Sequence, residues 1–260
     1  MRNTDALFRR EGDLFVPNEA SGNPWGELTG GGPVAGLLAR AIERAADEPD
    51  LFCARLTVDL MRPVPRNPVA VDVQPLRTGK RLHVLRATLS SGDQLLTNAT
   101  AHLLRRSDVD GPEARGAAPF PGPEGIETRH LLPPGLGLRW GVHDVMEVRW
   151  VADQSATERG QAWMRMPLPL VPGEELSPLA HVAILADAIS AASPVGEIFG
   201  PWINTDISLY LHREMRGEWL GVETRRETQP TGIGMATAKL YDIDGPIGTA
   251  HEAVMVHQLG

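Results

Sequence analysis

Two stretches of the chain share one pattern of alternating apolar and polar residues. Residues 54–62 align without a gap on residues 205–213. Their apolar positions coincide, Leu56 with Ile207, Val58 with Leu209, and Leu60 with Leu211. Alternation with a period of two predicts strands that have one apolar face. The same register places residues 71–74 on 222–225, and a small shift places 97–101 on 249–253. The pattern therefore predicts an internal repeat.

One helix is predicted ahead of each run of strands. Pro33 suits the first turn of a helix that continues to Ala46. Ser177 and Pro178 form an N-cap and first residue for a second helix, which we expect to reach Ala192. This second helix is apolar almost all round, whereas a helix on the outside of a sheet would carry a polar stripe. We therefore expect the sheet to enclose it.

The repeated order of one short helix and about four antiparallel strands predicts an α+β fold. In this fold two antiparallel sheets are each wrapped around a central helix, which is a tandem (double) hotdog. A generic α+β protein with chance similarity between its halves is the alternative. The segment 107–141 is rich in proline and glycine, which is typical of a linker. The predicted units are therefore an N-terminal hotdog at 1–106, the linker at 107–141, and a C-terminal hotdog at 142–260.

Composition and charge narrow the classes of partner. Hydrophobic residues make up 42% and charged residues 22% of the chain, which fits a globular protein with a real core. The net charge of −8 disfavours nucleic acid and anionic membrane surfaces. No apolar run approaches the ~20 residues that span a bilayer. The single cysteine and the polar N-terminus favour a cytoplasmic location.

Several common catalytic signatures are absent from the sequence. There is no Gly-x-Ser-x-Gly elbow, no phosphate-binding loop and no dinucleotide fingerprint. His251-Glu252 lacks the second histidine of a zincin helix, because position 255 is Met255. The sequence thus predicts neither a metal nor a cofactor.

Asp187 stands out among the charged residues. On a helix its neighbours one turn away include Ala183, Ile184 and Ala191. A carboxylate in such apolar surroundings costs several kcal/mol unless it is paired, or else its pKa rises. A raised pKa suits a general base near neutral pH. The alternative is an aspartate that points outwards or caps a loop.

Three further polar residues lie on predicted strands. His251 has Ala99 as its repeat counterpart, so the polar group occurs in one half only. An isolated histidine on a strand is more often structural or solvent-facing than catalytic. Asn204 and Asp206 are two residues apart, which places both on the polar face of one strand.

Several segments resemble the type II acyl-CoA thioesterase family. They are Gly31-Gly32-Pro33-Val34-Ala35, Met61-Arg62-Pro63, the block from Asn204 to Trp219, and Tyr241-Asp242-Ile243-Asp244-Gly245. The block from Asn204 to Trp219 is the most specific, and the resemblance covers nearly the whole chain. It implies a double hotdog that hydrolyses fatty acyl-CoA to free acid and CoA without a metal or a covalent intermediate.

The resemblance also implies roles for particular residues. In the family an aspartate, a threonine or serine, and a glutamine hold and activate water. By position these are here Asp187, Asn204 and His251, so two of the three depart from the usual residue. Both replacements can still form hydrogen bonds, and His251 can also titrate. The helix that begins at Gly31 and Gly32 is expected to bind the substrate through its backbone N–H groups.

Two other functions stay open at this point. One is an acyl-CoA-binding module that keeps the fold without hydrolysis. The other is a hotdog enoyl-CoA hydratase, which pairs an aspartate with a histidine a few residues later. After Asp187 no histidine occurs before His212. Because sheet edges in such folds often pair again, we expect a homodimer.

Overall fold

The structure is a computed structural model that describes residues 5–109, 120–132, 136–151, 160–193 and 202–257. Its helices are α1 (Gly31–Ala46), α2 (Val142–Val145), α3 (Pro178–Ala186) and α4 (Ile189–Ala192). The strands of the first half are β1 (Phe8–Glu11), β2 (Leu14–Pro17), β3 (Leu51–Asp59), β4 (Ala70–Thr78), β5 (Leu82–Ser91) and β6 (Gln94–Arg105). Those of the second half are β7 (Glu147–Trp150), β8 (Gly160–Arg165), β9 (Trp202–Asn204), β10 (Asp206–Leu211), β11 (Leu220–Thr228), β12 (Ile233–Asp242) and β13 (Gly245–Val256).

The main sheet runs in the order β4-β5-β6-β3-β10-β13-β12-β11-β8-β7, and β9 also pairs with β13. α1 packs on β3 to β6, whereas α3 and α4 pack on strands of the second half. Each half is thus an antiparallel sheet around its own helix, and the two sheets join where β3 pairs with β10. The hydrophobic core lies between the helices and the concave faces of the two sheets.

The junction between β3 and β10 relates the two halves by an approximate two-fold axis. Thr57 pairs with Ser208, which is also its counterpart in the repeat. On either side, Val58 pairs with Ile207 and Leu56 with Leu209. Each residue therefore faces the counterpart of the residue at the same distance on the other side of Thr57, as a two-fold axis through this pair requires.

The repeat continues without a gap to the last strand of each half. Val58 pairs with Ala99 in the first half, and its counterpart Leu209 pairs with Ala250 in the second. Ala99 therefore corresponds to Ala250, not to His251. The small shift that the sequence alignment introduced here is wrong, and its correction moves every later residue to the opposite face of the strand.

The two long helices pack side by side through a glycine. A Cβ at Gly36 would lie 2.5 Å from Cγ1 of Ile184, so only glycine allows the observed approach of α1 to α3. Every residue from Leu179 to Ala186 is buried, which confirms that the sheet encloses this helix. The predicted helix to Ala192 is interrupted, however. Ala188 donates its N–H to Leu185 O, a tighter turn that ends α3 at Ala186.

Part of the segment predicted as a linker packs on the second half. Phe120 stacks on Tyr241 with ring centroids 4.6 Å apart, and Leu131 and Leu132 are buried. Within the ranges that the structure describes, no helix has both the length and the apolar character needed to cross a membrane.

Candidate active site

A cavity of about 420 Å³ lies where α1 begins and α3 ends. We call it the first cavity. Most of its wall is apolar, and its polar lining includes Asp187, Asn204 and the backbone at Gly31. Its apolar lining includes Leu60, Leu131, Leu132, Ile184, Trp202 and Met255. The predicted residues Asp187, Asn204, Gly31 and Gly32 all meet here.

Asp187 is the residue at which α3 ends, and its carboxylate is held from two sides. Oδ2 accepts a hydrogen bond from the Gly32 N–H at 2.7 Å. Oδ1 accepts one from Asn204 Nδ2 at 2.8 Å. Burial raises the pKa of Asp187, and these two hydrogen bonds partly oppose that effect. A carboxylate has about four lone-pair directions, so two remain for a ligand or a water.

The start of α1 explains why Asp187 is found there. The N-cap residue Gly30 has no side chain to cap the helix, and Asp187 accepts from the first turn in its place. The Gly31 N–H donates no hydrogen bond within the described residues, and Gly31 lines the first cavity together with Asp187. A Cβ at Gly31 would come within 2.5 Å of Asp187 Oδ1, so glycine is required by this contact. The free N–H at a helix N-terminus is a suitable donor to an anionic oxygen.

A bulge at Thr205 directs Asn204 into the site. Asn204 pairs with Val254, whereas Ser208 pairs with His251, so one extra residue lies between β9 and β10. Because of this extra residue Asn204 points inwards, as the buried Val254 does. Asp206 points outwards and accepts a hydrogen bond from the Ala253 N–H. The prediction that Asn204 and Asp206 share one face is therefore wrong.

The structure does not bring His251 to Asp187. Its side chain is exposed on the outer face of β13, where it contacts Thr249 Oγ1 at 3.2 Å and the edge of Tyr210. The cause is the alternation of strand residues, since its buried neighbour Glu252 has the opposite orientation. We correct the predicted site accordingly and leave His251 out of it.

Glu252 is the residue that the sequence analysis missed. It is only 1% exposed, and its Oε1 accepts a second, longer hydrogen bond from Asn204 Nδ2 at 3.3 Å. Ser190 lies close enough to this carboxyl group to lower its pKa, which partly opposes the effect of burial. Burial, followed by the charge of Asp187, holds the pKa of Glu252 well above its usual range, which favours the neutral form of the group. In the gap-free repeat its counterpart is Ala101, and that contrast was a signal available in the sequence.

Among the other cationic or titratable side chains that line the first cavity, Arg226 and His143 have shifted pKa values. Burial lowers the pKa of Arg226 to about 10, and its guanidinium lies over the Trp202 ring. His143 is buried, which lowers its pKa, and its Nε2 lies 3.2 Å from Asp144 Oδ2. Among the residues with described positions, no group of three His, Cys, Asp or Glu side chains could hold a metal ion.

Comparison with known families assigns both halves of the chain. The acyl-CoA thioesterase N-terminal domain matches residues 20–104, and the acyl-CoA thioesterase C-terminal domain matches residues 112–256. The chain belongs to the acyl-CoA thioesterase family. It is thus an enzyme of the thioester hydrolase class, as the resemblance in its sequence predicted.

Solved structures confirm the fold. A protein with a hot dog fold from Alicyclobacillus acidocaldarius is 19% identical, with a TM-score of 0.71 over 97% of each chain. A tesB protein of Mycobacterium avium subsp. paratuberculosis is 18% identical, with a TM-score of 0.67 over 95% of this chain and 94% of that chain. The acyl-CoA thioesterase II TesB2 of Mycobacterium marinum is 16% identical, with a TM-score of 0.63 over 87% of this chain and 90% of that chain. No curated protein sequence matches the chain. The predicted tandem hotdog is confirmed.

Proposed function

We propose that the chain hydrolyses fatty acyl-CoA to free acid and CoA, using a water held by Asp187 and Asn204 in the first cavity. The observation that carries this proposal is the carboxylate itself. It lies at an apolar cavity, fixed by two donors on Gly32 and Asn204, with lone pairs left for a third. A base fixed in this way loses little entropy when it binds the reacting water.

The proposed reaction has two steps. Asp187 takes a proton from the water as the oxygen attacks the thioester carbonyl carbon, and the carbonyl oxygen becomes an oxyanion. In this proposal the Gly31 N–H donates to that oxyanion, and the partial positive charge of the α1 N-terminus adds to its effect. Collapse of the intermediate breaks the carbon–sulfur bond, and the proton held by Asp187 passes to the leaving CoA sulfur.

The environment of Asp187 favours this role. Burial raises its pKa towards the pH of the reaction, which makes the carboxylate a stronger base than an exposed aspartate. Activity should therefore fall as the pH decreases through this raised pKa, because the protonated acid cannot accept a proton. The apolar wall of the first cavity gives the acyl chain a place beside the base, and its volume lies within the ~300–1,000 Å³ of typical ligand pockets.

The contacts of Asp187 disfavour hydration of enoyl-CoA. That reaction was expected to pair the aspartate with a histidine on the same segment. The hydrogen-bond partners of Asp187 in the described part of the chain are Gly32 and Asn204, and neither is a histidine.

The test is release of free CoA by Asp187→Asn, measured over acyl-CoAs from acetyl to palmitoyl. Asparagine keeps an oxygen that can accept from Gly32 but is not a base, so we expect kcat to fall by about 10²-fold or more. Asp72→Asn is the matched control, because Asp72 is exposed on β4 away from both helix ends and its variant should keep full activity. Turnover by folded Asp187→Asn within twofold of the wild type would refute the mechanism. Binding without turnover by the wild type would instead indicate the binding module.

A further inference from the structure

A second cavity, of about 230 Å³, lies at the other end of the helix pair, where α1 ends and α3 begins. We define the second cavity by Glu43, Leu51, Cys53, Leu103, Leu179 and Leu211, which are all part of its lining. Most of its wall is aliphatic. At its rim Arg106 pairs with Glu214 at 2.5 Å, and both side chains are about half exposed. An apolar interior thus lies behind a charged edge.

The two-fold relation makes the second cavity a copy of the first. Cys53 pairs with Leu103, and Asn204 pairs with Val254, at the same separation along the chain as the rest of the repeat. Cys53 is therefore the counterpart of Asn204. The pairing of β3 is irregular between Cys53 and Arg55, at the position that corresponds to the bulge at Thr205. The residues that follow the two irregularities, on β3 and on β10, are also counterparts in the repeat.

Equivalent residues also form the walls of both cavities. Leu60 lines the first cavity, and its counterpart Leu211 lines the second. Trp202 and its counterpart Leu51 do the same. The cavities therefore share one architecture, although their polar groups differ.

We propose that the second cavity binds an aliphatic acyl chain without hydrolysing it. The shared architecture supplies a slot between helix and sheet of the kind that the proposed function assigns to the acyl group. Its volume is below the ~300–1,000 Å³ of typical ligand pockets, which favours a short chain. The inference extends beyond the proposed function and does not require Asp187 to be a base.

The second cavity also contains a polar group for the end of such a chain. Glu43 contacts Ser177 Oγ at 2.5 Å through its Oε2. Burial raises the pKa of Glu43, which favours its neutral form. A neutral carboxyl group can donate a hydrogen bond to a carbonyl or carboxylate oxygen. Glu43 is partly buried and accepts from Ser177 through one oxygen, so its second oxygen has hydrogen-bonding capacity for a ligand.

Three replacements remove the groups needed for hydrolysis. α3 begins with Pro178, which has no N–H, where α1 begins with Gly31. Cys53 stands for Asn204, and burial raises the pKa of its thiol to about 12, so it stays neutral. Arg40 lies as many residues after the start of α1 as Asp187 lies after the start of α3, so it occupies the equivalent position.

Arg40 cannot replace Asp187 as a base. Its guanidinium donates to both carboxylate oxygens of Glu174, at 2.6 and 2.7 Å. Arginine stays protonated under all ordinary conditions. The second cavity therefore has a place for the chain, but it has no carboxylate at the position of Asp187 and no N–H on the first residue of its helix.

Cys53 provides a direct test, because it is the single cysteine of the chain. Because a buried, neutral thiol reacts slowly, intact mass follows its modification by methyl methanethiosulfonate over a long time course at alkaline pH in the full-length protein. The probes are S-octyl-CoA, a thioether that cannot be hydrolysed, and octanoate. Protection by S-octyl-CoA alone would identify a thioester as the source of the chain, and protection by octanoate would identify the released acid. We expect at least one of them to slow the modification tenfold or more, and no protection by either probe would overturn the proposal.

Matched tryptophan variants show which cavity gives the protection. Leu60→Trp fills the first cavity and should keep the protection, whereas Leu211→Trp fills the second and should remove it. The opposite result would overturn the proposal. Circular dichroism checks folding, and Met215→Phe, on the same wall, replaces Leu211→Trp if that variant does not fold. Calorimetric titration of the protecting probe, expected to give two sites in the wild type and one in either filled variant, decides the question if tryptophan blocks the reagent.

The outcome is separable from that of the proposed function. Asp187→Asn should lose hydrolysis and keep the protection of Cys53. Loss of protection in that variant would show that the ligand acts from the first cavity, and would overturn the second site.

Discussion

The two ends of the helix pair differ in how each helix start is capped. At the second cavity α3 is complete within its own sequence, because Ser177 accepts from the Ala180 N–H and Pro178 has no N–H to satisfy. At the first cavity α1 has no side-chain cap of its own, and Asp187 reaches it from the other half of the chain. The same repeat thus contains one helix start that is capped by its own residues and one that lacks a cap of its own. The incomplete start is the one that brings an acid and a free N–H together.

The largest effect should come from giving the first cavity the helix start of the second. Gly31→Pro introduces a residue that is favoured at the first helical position but has no N–H. If that N–H stabilises the oxyanion, kcat should fall by about 10²–10³-fold. The measurement is release of CoA under saturating acyl-CoA.

Gly31→Ala is the control for the added bulk. Any Cβ at this position meets Asp187 Oδ1 at 2.5 Å and Leu60 Cδ1 at 2.9 Å, so both variants disturb the contact. Alanine retains the N–H, and only the difference between the two variants reports the donor. Equal rates for the proline and alanine variants would exclude the Gly31 N–H from catalysis.

A smaller effect is expected when Asn204 is replaced by its counterpart, in the variant Asn204→Cys. The change removes the 2.8 Å hydrogen bond to Asp187. Hydrogen bonds to charged groups contribute about 1.5–3 kcal/mol, so kcat/KM should fall roughly 10- to 150-fold. Asn204→Thr, which restores a donor, should recover much of the activity. Wild-type activity in Asn204→Cys would show that Asn204 does not position the base.

The smallest effect on catalysis is expected for Glu252→Gln, whose neutral amide keeps an oxygen towards Asn204. Its effect should instead appear in stability. Because the folded-state pKa of Glu252 is raised, the folded protein binds this proton more tightly than the unfolded chain. This contribution is complete below the unfolded pKa and is lost as the pH rises towards the folded one, by up to about 1.4 kcal/mol per pH unit.

Urea unfolding at pH values from about 5 to about 8 measures the effect. In this range an acid with a raised folded-state pKa loses its contribution to stability. Glu252→Gln should show a flatter decline in unfolding free energy than the wild type. Asp187→Asn, which also removes a carboxyl group of raised pKa, should flatten the curve too but lose hydrolysis. An unchanged slope in Glu252→Gln would show that the buried acid is not protonated as inferred.

The sequence predicted those features that depend on short-range chemistry. Pro33 and the pair Ser177-Pro178 fix the helix starts locally, and the alternation of apolar residues predicts the strands. The apolar neighbours of Asp187 identified it as a candidate base. Each of these signals lies within about one helical turn or one strand of the feature that it predicts.

The features that were missed depend on register between distant strands. The choice between His251 and Glu252 rests on a shift of one residue in aligning the repeats. The bulge at Thr205, which turns Asn204 inwards, becomes visible only through its pairing with β13. Local propensity carries no information on either point, because a strand presents the same alternation in both registers.

The contact between Asp187 and the Gly32 N–H joins the two halves of the chain, so it bears on whether either half can act alone. The second half supplies Asp187 at the end of α3. The first half supplies the uncapped start of α1, to which Asp187 binds. Fragments separated within 107–119 should therefore be inactive alone and regain hydrolysis only when mixed. Neither half of the repeat alone contains both members of the contact between Asp187 and Gly32.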